Sequence, residues 1–207
     1  MTRRGPRLQR LHGRERGAVL VEIVIMLPIL MMIALGVFDV GLGWKTELTI
    51  TNAARSAARV DSNLGTDQDA DRQALAALAA SIASIPTSEI DAVVIYKATS
   101  ATGDVPSGCL DSSVKAAGGS AALFCNVYSG ADVVAADTSS AYTGDCTTSR
   151  DRFWCTSTRQ NSQANPAGPD YLGVYVKVNH ATKTKLFGST MVIDDKCVMR
   201  IEPNAGN

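Results

Sequence analysis

Histidine, aromatic residues and nucleophile motifs are scarce in this chain, and their scarcity limits the chemistry that it can perform. Only two histidines occur among 207 residues, His12 and His180, and aromatic residues make up 5%. The sequence has no Gly-x-Ser-x-Gly motif, and no glycine-rich loop links a predicted strand to a helix. A single histidine in a strand is usually a surface or hydrogen-bonded polar residue. We therefore expect no enzyme activity, no catalytic residues and no cofactor.

Net charge is also absent, but the zero total conceals an asymmetry. Residues 1–17 carry six arginines and one glutamate, so the remainder carries 14 basic and 19 acidic residues. A mildly acidic domain is not expected to bind nucleic acid.

The longest feature without charge is an apolar stretch near the N-terminus. Residues 23–38 contain no charged or hydrogen-bonding side chain, and residues 18–21 extend the stretch beyond Glu22. As a helix, residues 18–38 span roughly 31 Å, close to the hydrocarbon thickness of a bilayer. Pro28 lies near the start of this helix, where a membrane helix tolerates it. We predict a membrane-spanning helix over residues 18–44.

The residues that flank this helix predict its orientation and whether it is cleaved as a secretory signal. Six arginines precede it, so the N-terminus is expected in the cytoplasm and everything after Trp44 outside. A cleaved secretory signal would carry a small-x-small site soon after the apolar core, but no Ala-x-Ala follows Phe38. This pattern favours a permanent single-pass anchor in the cell membrane.

Glu22 is an ionisable residue inside the membrane end of the helix, and it admits two interpretations. In the first, its carboxylate simply reaches the cytoplasmic interface. Alternatively, a peptidase cuts between Gly17 and Ala18, which makes Glu22 the fifth residue of a mature subunit. The carboxylate can then neutralise the terminal ammonium group of a neighbouring subunit during assembly, as expected of a functional charge in a membrane.

Alanine pairs one turn apart follow the span, at Ala53 with Ala57 and Ala54 with Ala58. Such a stripe of small residues lets another backbone approach closely. It either packs on the sheet of the same chain or contacts another subunit. No proline interrupts residues 45–60, so the membrane helix is expected to continue outside the membrane.

Downstream, the periodicity predicts one more helix and three strands. Thr66 or Asp67 is the expected cap of a helix that ends before Pro86, with apolar residues at helical spacing. Strands are predicted over residues 92–98, 173–180 and 190–201. A three- or four-stranded antiparallel sheet packed on helix would bury their apolar faces.

Residues 99–169 are rich in serine, threonine, glycine, alanine and aspartate. A connection of this length is expected to be an elaborated surface loop with short elements of its own, or partly disordered. Four of the five cysteines lie in it: Cys109, Cys125, Cys146 and Cys155. Their clustering suggests disulfides where no core is available, with local pairing of 109 to 125 and 146 to 155.

Two further expectations concern the cysteines. Zinc is the competing explanation, but no Cys-x-x-Cys occurs, so we expect no metal site. Cys197 shares the predicted apolar face of its strand with Ile193 and Met199, and we expect it to be a buried free thiol.

Several of these motifs together resemble one family. The basic leader, Gly17, Val21-Glu22, Leu27-Pro28, Gly36-x-x-Asp39-x-Gly41 and the segment N-A-A-R-S-A-A-R at residues 52–59 are similar to those of TadE-like pilus-assembly proteins. The resemblance covers roughly residues 16–60 and, more weakly, residues 197–202. The chain departs from the family in having Ile23 where an aromatic is usual and Asp39 where glutamate is common.

The resemblance implies a type IV pilin-like minor subunit of the tight-adherence (Flp) pilus. Its expected partners are the lipid bilayer, other pilin-like subunits, the pilus-assembly machinery and a prepilin peptidase. The expected α+β fold comprises a leader at residues 1–17, the span at 18–44 and an exported domain at 45–207, with a second helix, a small antiparallel sheet and a long disulfide-linked loop. The alternative is a membrane-anchored exported domain that binds a ligand through residues 99–169 and joins no pilus.

Overall fold

The computed structural model describes residues 12–136, 138, 142, 145–186 and 188–203. The fold is α+β, as predicted, with a long N-terminal helix and one antiparallel sheet. The helices are α1 (His12–Leu64), α2 (Ala70–Ser81), α3 (Ser112–Ala117) and α4 (Gly130–Ala135). The strands are β1 (Ile90–Ala98), β2 (Gly119–Ser120), β3 (Cys125–Tyr128), β4 (Tyr171–Ala181) and β5 (Thr190–Arg200). Short 3₁₀ turns cover Thr87–Glu89, Ser107–Leu110, Arg152–Trp154 and Thr156–Thr158.

Helix α1 is a single element of 53 residues that continues through Pro28. At about 1.5 Å per residue it is roughly 80 Å long. Its first half is exposed, whereas its second half, from about Asp39 onward, has one face buried against the rest of the chain. The helix therefore extends beyond its apolar stretch into the folded domain, as the sequence predicted.

The sheet has five strands in the order β2-β3-β1-β4-β5, and all neighbours are antiparallel. The three predicted strands are present as β1, β4 and β5. The expected count of three or four strands was too low, because β2 and β3 come from the segment that was assigned to a loop. They are two and four residues long, too short to show a strand periodicity in the sequence.

One face of the sheet packs against α1 and α2. The core between these layers contains Ile50 and the alanines of α1, Leu75 and Leu78 of α2, and alternate strand residues such as Val93 and Val176. Because β1, β4 and β5 each present every second residue to this face, the alternation recognised in the sequence decides which side chains meet the helices.

The other face of the sheet is covered as well, by part of residues 99–169. Val94 and Tyr96 of β1 pack there with Cys109 and Cys125, and Leu110 and Leu123 lie alongside. The expectation that the cysteines lie where no core is available was therefore wrong for Cys109 and Cys125. The segment builds a second apolar core together with β1, and β4 is buried on both sides from Leu172 to Val176.

Helix α2 starts later and ends earlier than predicted. Asp69 occupies its N-cap position, whereas the Asp67 carboxylate accepts a hydrogen bond from the backbone N–H of Asp69 in the preceding turn, at 2.9 Å. The helix ends at Ser81, and Ile82 and Ile85 continue as a turn in which Ile85 N–H donates to the Ile82 carbonyl. Both isoleucines still reach the core, which explains their helix-like spacing.

Strand β5 lies lengthwise along α1 and runs in the same direction. Met191 lies against Gly43, Asp195 accepts a hydrogen bond from Thr51, and Ile201 lies against Gly65. From residue 191 to 201 the strand advances about 33 Å, and from residue 43 to 65 the helix also advances about 33 Å. The start of β5, and with it the turn that joins β4 to β5, is therefore at the end of the domain nearest the apolar half of α1.

Candidate functional site

The apolar half of α1 is not covered by any of the described residues. Its large apolar side chains from Val19 to Phe38 are between 46% and 67% exposed. Among the described residues, one helix is long and apolar enough to cross a membrane, and it is this one, with a mean hydropathy of 2.7 over its best window. Exposing so many large apolar side chains to water is unfavourable, so this surface requires a lipid or protein environment.

Gly17 and Glu22, the predicted cut site and assembly residue, both lie within α1. Helix α1 begins at His12, so the Gly17–Ala18 bond is helical, and a Cβ built on Gly17 would meet nothing within 4 Å. Glu22 is exposed on the same part of the helix, among apolar side chains. Most of the basic leader lies outside the described residues.

The four residues of the predicted membrane-helix motif have different environments. Pro28 is exposed within the apolar half, Gly36 and Asp39 are buried, and Gly41 is exposed with nothing within 4 Å of a Cβ built on it. The glycine that contacts the domain is instead Gly43, where a Cβ would lie 2.9 Å from the Met191 sulfur. Of these four residues, Asp39 contacts the rest of the chain.

Asp39 binds the turn between β4 and β5. Its carboxylate accepts hydrogen bonds from the backbone N–H groups of Lys183, at 3.1 Å, and Thr184, at 3.2 Å, and from the Thr184 hydroxyl. Sequence reasoning found the residue but missed this role, because its partners are 144 and 145 positions away and no local pattern connects them.

The small-residue stripe packs within the chain. Ala53, Ala54, Ala57 and Ala58 are at most 1% exposed and belong to the core that α1 forms with α2 and the sheet. Of the two interpretations left open by the sequence, the structure shows the first. These alanines let α2 and the sheet approach α1 closely, and no surface remains on them for another subunit.

The cysteines pair as the local-pairing prediction proposed. Cys109 is bonded to Cys125 and Cys146 to Cys155. The first bond joins the 3₁₀ turn before α3 to strand β3 inside the second core, where both residues are fully buried.

Cys197 is a free thiol, but it is only partly buried. It packs against the core beneath α1, and burial raises its pKa. Cys197 therefore lies on the predicted face, and the expectation of full burial was wrong because β5 is the edge strand of the sheet.

A buried ionic cluster, which the sequence did not reveal, fixes the loop-rich segment to the helices. We define it as Asp61, Asp71, Asp151 and Arg159. Nη1 of Arg159 lies 2.8 Å from Asp61 of α1, and Nη2 donates to Asp71 of α2. All three of these side chains are fully buried, and the Arg159 guanidinium also lies 4.3 Å from the Trp154 ring.

Strand β3 completes the polar contacts of the cluster. Oδ2 of Asp71 accepts from Asn126, at 2.9 Å, and from the Tyr128 hydroxyl, at 2.7 Å. The Asn126 side chain also accepts from the Trp154 backbone N–H, at 2.9 Å. Burial raises the pKa of Tyr128 well above its usual value, so it donates as a neutral phenol.

Charges in the cluster do not balance if every carboxyl group is ionised, since three acids surround one arginine. Burial raises the pKa of Asp61 and of Asp151. Asp61 keeps an ion pair with Arg159, so Asp151 is the group best placed to hold a proton. In the described part of the chain, no three histidine, cysteine or acidic residues are arranged to hold a metal ion. The cluster joins α1 and α2 to the loop-rich segment.

His180 is a polar residue with a partner, as expected of a single strand histidine. Its Nδ1 lies 3.0 Å from Glu89, and both side chains are largely buried. No nucleophilic side chain is brought to it by the contacts of the described residues.

The comparison with known proteins found a match that lies within α1. The family model described as TadE-like protein matches residues 17–59, from the predicted cut site to the end of the alanine-rich segment. No curated protein and no solved structure matched the chain. The match includes Glu22, Asp39 and the alanine stripe, so the resemblance noted in the sequence is confirmed over this helix. The match to TadE-like proteins covers residues 17–59, all of which lie in α1.

Proposed function

We propose that this chain is a minor pilin-like subunit that takes part in assembly of a tight-adherence (Flp) pilus. In this proposal α1 anchors the chain in the cell membrane by a single span and packs laterally against other pilin-like subunits. The domain that follows supplies recognition outside the membrane, and the chain has no catalytic role.

The observation that carries the proposal is the division of α1 into two halves. One uninterrupted helix has an apolar half that nothing in the described chain covers and a second half that is built into the domain. Such a helix transmits the position of its membrane half rigidly to the domain, which suits a subunit that assembles helix against helix. The family match starts at Gly17, where that half begins.

Glu22 gives this assembly its specificity. A carboxylate in the low dielectric of a bilayer is unfavourable unless it is paired. After cleavage following Gly17, each subunit has an ammonium group at Ala18, roughly 6 Å along the helix from Glu22. A neighbouring subunit shifted by about one turn brings these charges together, so the pair favours one register of assembly.

The proposal is tested by the mass of the mature protein. Expressed with its prepilin peptidase, the chain is expected to lose residues 1–17 and to begin Ala-Val-Leu-Val-Glu, as measured by intact-mass analysis of isolated membranes. Gly17→Ile should block the cut, whereas Gly13→Ile, a matched change within the leader, should not. Recovery of only the full-length chain in the presence of the matching peptidase would contradict the proposal.

Orientation is part of the same proposal. Six arginines precede the span, and positively charged flanks remain in the cytoplasm. The disulfides fit an oxidising compartment for the domain. Protease added to intact spheroplasts is expected to digest the domain and to spare the leader of an uncleaved Gly17→Ile variant.

A membrane-anchored binding domain outside any pilus is the alternative. It would need no cut after Gly17 and would present residues 99–169 to a ligand. Several of the longer polar side chains of that segment, including Asn126 and Arg159, point inward to the ionic cluster, which favours the pilin-like role.

A further inference from the structure

The turn between β4 and β5, residues 182–186 and 188–189 of the described chain, lies at the membrane-facing end of the domain. Asp39 holds it through the N–H groups of Lys183 and Thr184, and Asp39 directly follows Phe38, the last residue of the apolar stretch. Strand β5 then leads away from the membrane alongside α1. The turn is therefore level with the point at which α1 leaves the hydrocarbon region.

The exposed side chains at this level are basic and apolar. Lys183 and Lys185 of the turn are exposed, and Leu186 beside them is 41% exposed. On α1, Trp44 is 64% exposed and Lys45 is exposed as well. Tryptophan and lysine are the residues that concentrate where hydrocarbon meets the headgroups.

Acidic groups near the turn offset only part of this charge. The Asp39 carboxylate is buried and satisfied by the turn itself. Glu47 lies about one turn of α1 farther from the membrane than Trp44, and Asp194 lies farther along β5. Glu89 lies beside the turn but pairs with His180. The part of the surface nearest the bilayer is therefore positively charged.

We infer that the β4–β5 turn is a second membrane contact, in which Lys183 and Lys185 bind the phosphates of anionic lipid headgroups and Leu186 enters the interface. The inference rests on the membrane anchoring in the proposed function. Its occupant is the lipid that surrounds α1, because the turn is continuous with the lipid-exposed surface of that helix and carries the opposite charge to anionic headgroups.

Membrane contacts by both α1 and the β4–β5 turn constrain the orientation of the domain more than contact by α1 alone. A helix crossing a bilayer is free to tilt and to rotate about its axis, since its length does not set either angle. A basic turn fixed to one side of the helix pulls that side toward the headgroups. The rotation of α1, and hence the face that it presents to a neighbouring subunit, is then set by the turn.

The depth of the turn tests this inference. The experiment uses the full chain with Cys197→Ser, oxidised so that both disulfides are closed. Leu186→Cys then adds a single free cysteine, which is labelled with an environment-sensitive dye. The labelled protein is placed in vesicles that contain phosphatidylglycerol. Lipids brominated near the headgroup should quench this dye strongly. Ala167→Cys, in the turn that contacts Arg200 at the far end of the sheet, is the matched control and should remain unquenched.

A third label separates this inference from the anchoring itself. Leu30→Cys lies in the apolar half of α1 and should be quenched by lipids brominated deep in the acyl chains. Quenching at position 30 without quenching at position 186 would overturn the inference and leave the anchor intact. No quenching at position 30 would overturn both.

Charge is tested by paired substitutions. The double substitution Lys183→Gln and Lys185→Gln should weaken binding of the turn to the headgroups by about fivefold per lysine. The weaker binding is measured as less quenching at position 186. Arg55→Gln with Arg59→Gln removes the same charge farther along α1 and should have no effect. Equal quenching in vesicles of zwitterionic phosphatidylcholine alone would show that the contact is not made through anionic headgroups and would overturn the assignment of the lysines.

Discussion

Nη1 of Arg159 donates to a carboxylate oxygen of Asp61 across 2.8 Å, and this contact joins the end of α1 to a segment that lies about one hundred residues later. The second arm of the same guanidinium holds Asp71 of α2. A single side chain thereby connects both helices to the loop-rich segment without exposure to water.

Removing that side chain should destabilise the domain severely. Arg159→Ala leaves Asp61 and Asp71 buried without their counter-ion, and breaking a buried pair in this way costs about 3 to 5 kcal/mol. Arg72→Ala, which removes a partly exposed pair with Asp69, should cost about 1 kcal/mol or less. Urea unfolding of the full chain in detergent, followed by Trp154 fluorescence, measures both. Equal losses would contradict the role of the cluster.

Stability should depend on the protonation of Asp151. Burial raises the pKa of Asp151, against the opposing effect of Ser149. The folded state then binds a proton that the unfolded chain releases near pH 3.9, so this group stabilises least at high pH. Its contribution to the free energy of unfolding should fall as the pH rises from about 3.9 through the raised pKa.

Asp151→Asn should remove this slope and make the protein more stable than wild type at pH 7. Asp145→Asn is the contrasting variant, because hydrogen bonds from Thr148 and from the backbone N–H groups of residues 147–149 hold the pKa of Asp145 well below its usual value. Loss of the Asp145 carboxylate should lower the free energy of unfolding at neutral pH. This difference from the wild type should shrink as the pH falls below about 3.9. Thermal unfolding between pH 3 and pH 8 in detergent distinguishes the two signs.

Asp39→Ala should release the β4–β5 turn without unfolding the domain. The N–H groups of Lys183 and Thr184 lose their acceptor, so their hydrogen exchange should accelerate, while exchange in the core strands stays unchanged. Gly41→Ala changes a neighbouring position that faces open space and should leave the turn protected. Unchanged exchange in Asp39→Ala would show that the carboxylate does not hold the turn.

Replacing both cysteines of a disulfide by serine should lower the free energy of unfolding by different amounts for the two disulfides. Chain entropy alone predicts roughly 3 kcal/mol for either, since their sequence separations are 16 and 9. Loss of Cys109–Cys125 should cost more, because it leaves serine hydroxyls in an apolar core. The Ser157 hydroxyl lies 3.1 Å from the Cys146 sulfur and 3.4 Å from that of Cys155, and offers the other pair a partner.

Peptide mapping without reduction provides the control for these variants. After alkylation of the unfolded wild-type protein, only the peptide that contains Cys197 should carry the label. A cross-linked peptide that contains Cys197 would contradict the observed pairing.

Glu22→Ala should leave membrane insertion intact but reduce co-purification with other pilin-like subunits. In the proposed assembly this substitution removes the partner of a neighbour's buried ammonium group. Glu22→Asp keeps the charge and should retain part of the interaction. Normal assembly of Glu22→Ala would favour the simpler interpretation, in which Glu22 only reaches the cytoplasmic interface.

The parts of the fold that were predictable are those with a repeating pattern. Sixteen consecutive apolar residues define the exposed half of α1, and alternation defines β4 and β5. The alanine stripe was recognised too, but its spacing is the same whether the approaching backbone belongs to the chain or to a neighbour. Only the packing of α2 and the sheet decided between these partners.

The contacts that were missed join residues far apart in sequence. Arg159 lies in a polar segment, S-T-R-Q-N-S, that resembles any solvated loop, and its partners Asp61 and Asp71 lie near helix ends where exposed acids are common. Strand β3 is four residues long and contains Asn126, which is buried because it bridges Asp71 and the Trp154 backbone. Burial of polar residues depends on such long-range pairing, which has no local sequence pattern.

The lengthwise alignment of α1 and β5 has a mechanical consequence. A force applied to the apolar half of α1 along its axis loads the contacts from Gly43–Met191 to Gly65–Ile201 in shear, so they share the load and must slide together. A strand crossing the helix at a right angle would instead be peeled away one contact at a time. Traction on the apolar half is thus transmitted to the sheet over about 33 Å of shared length.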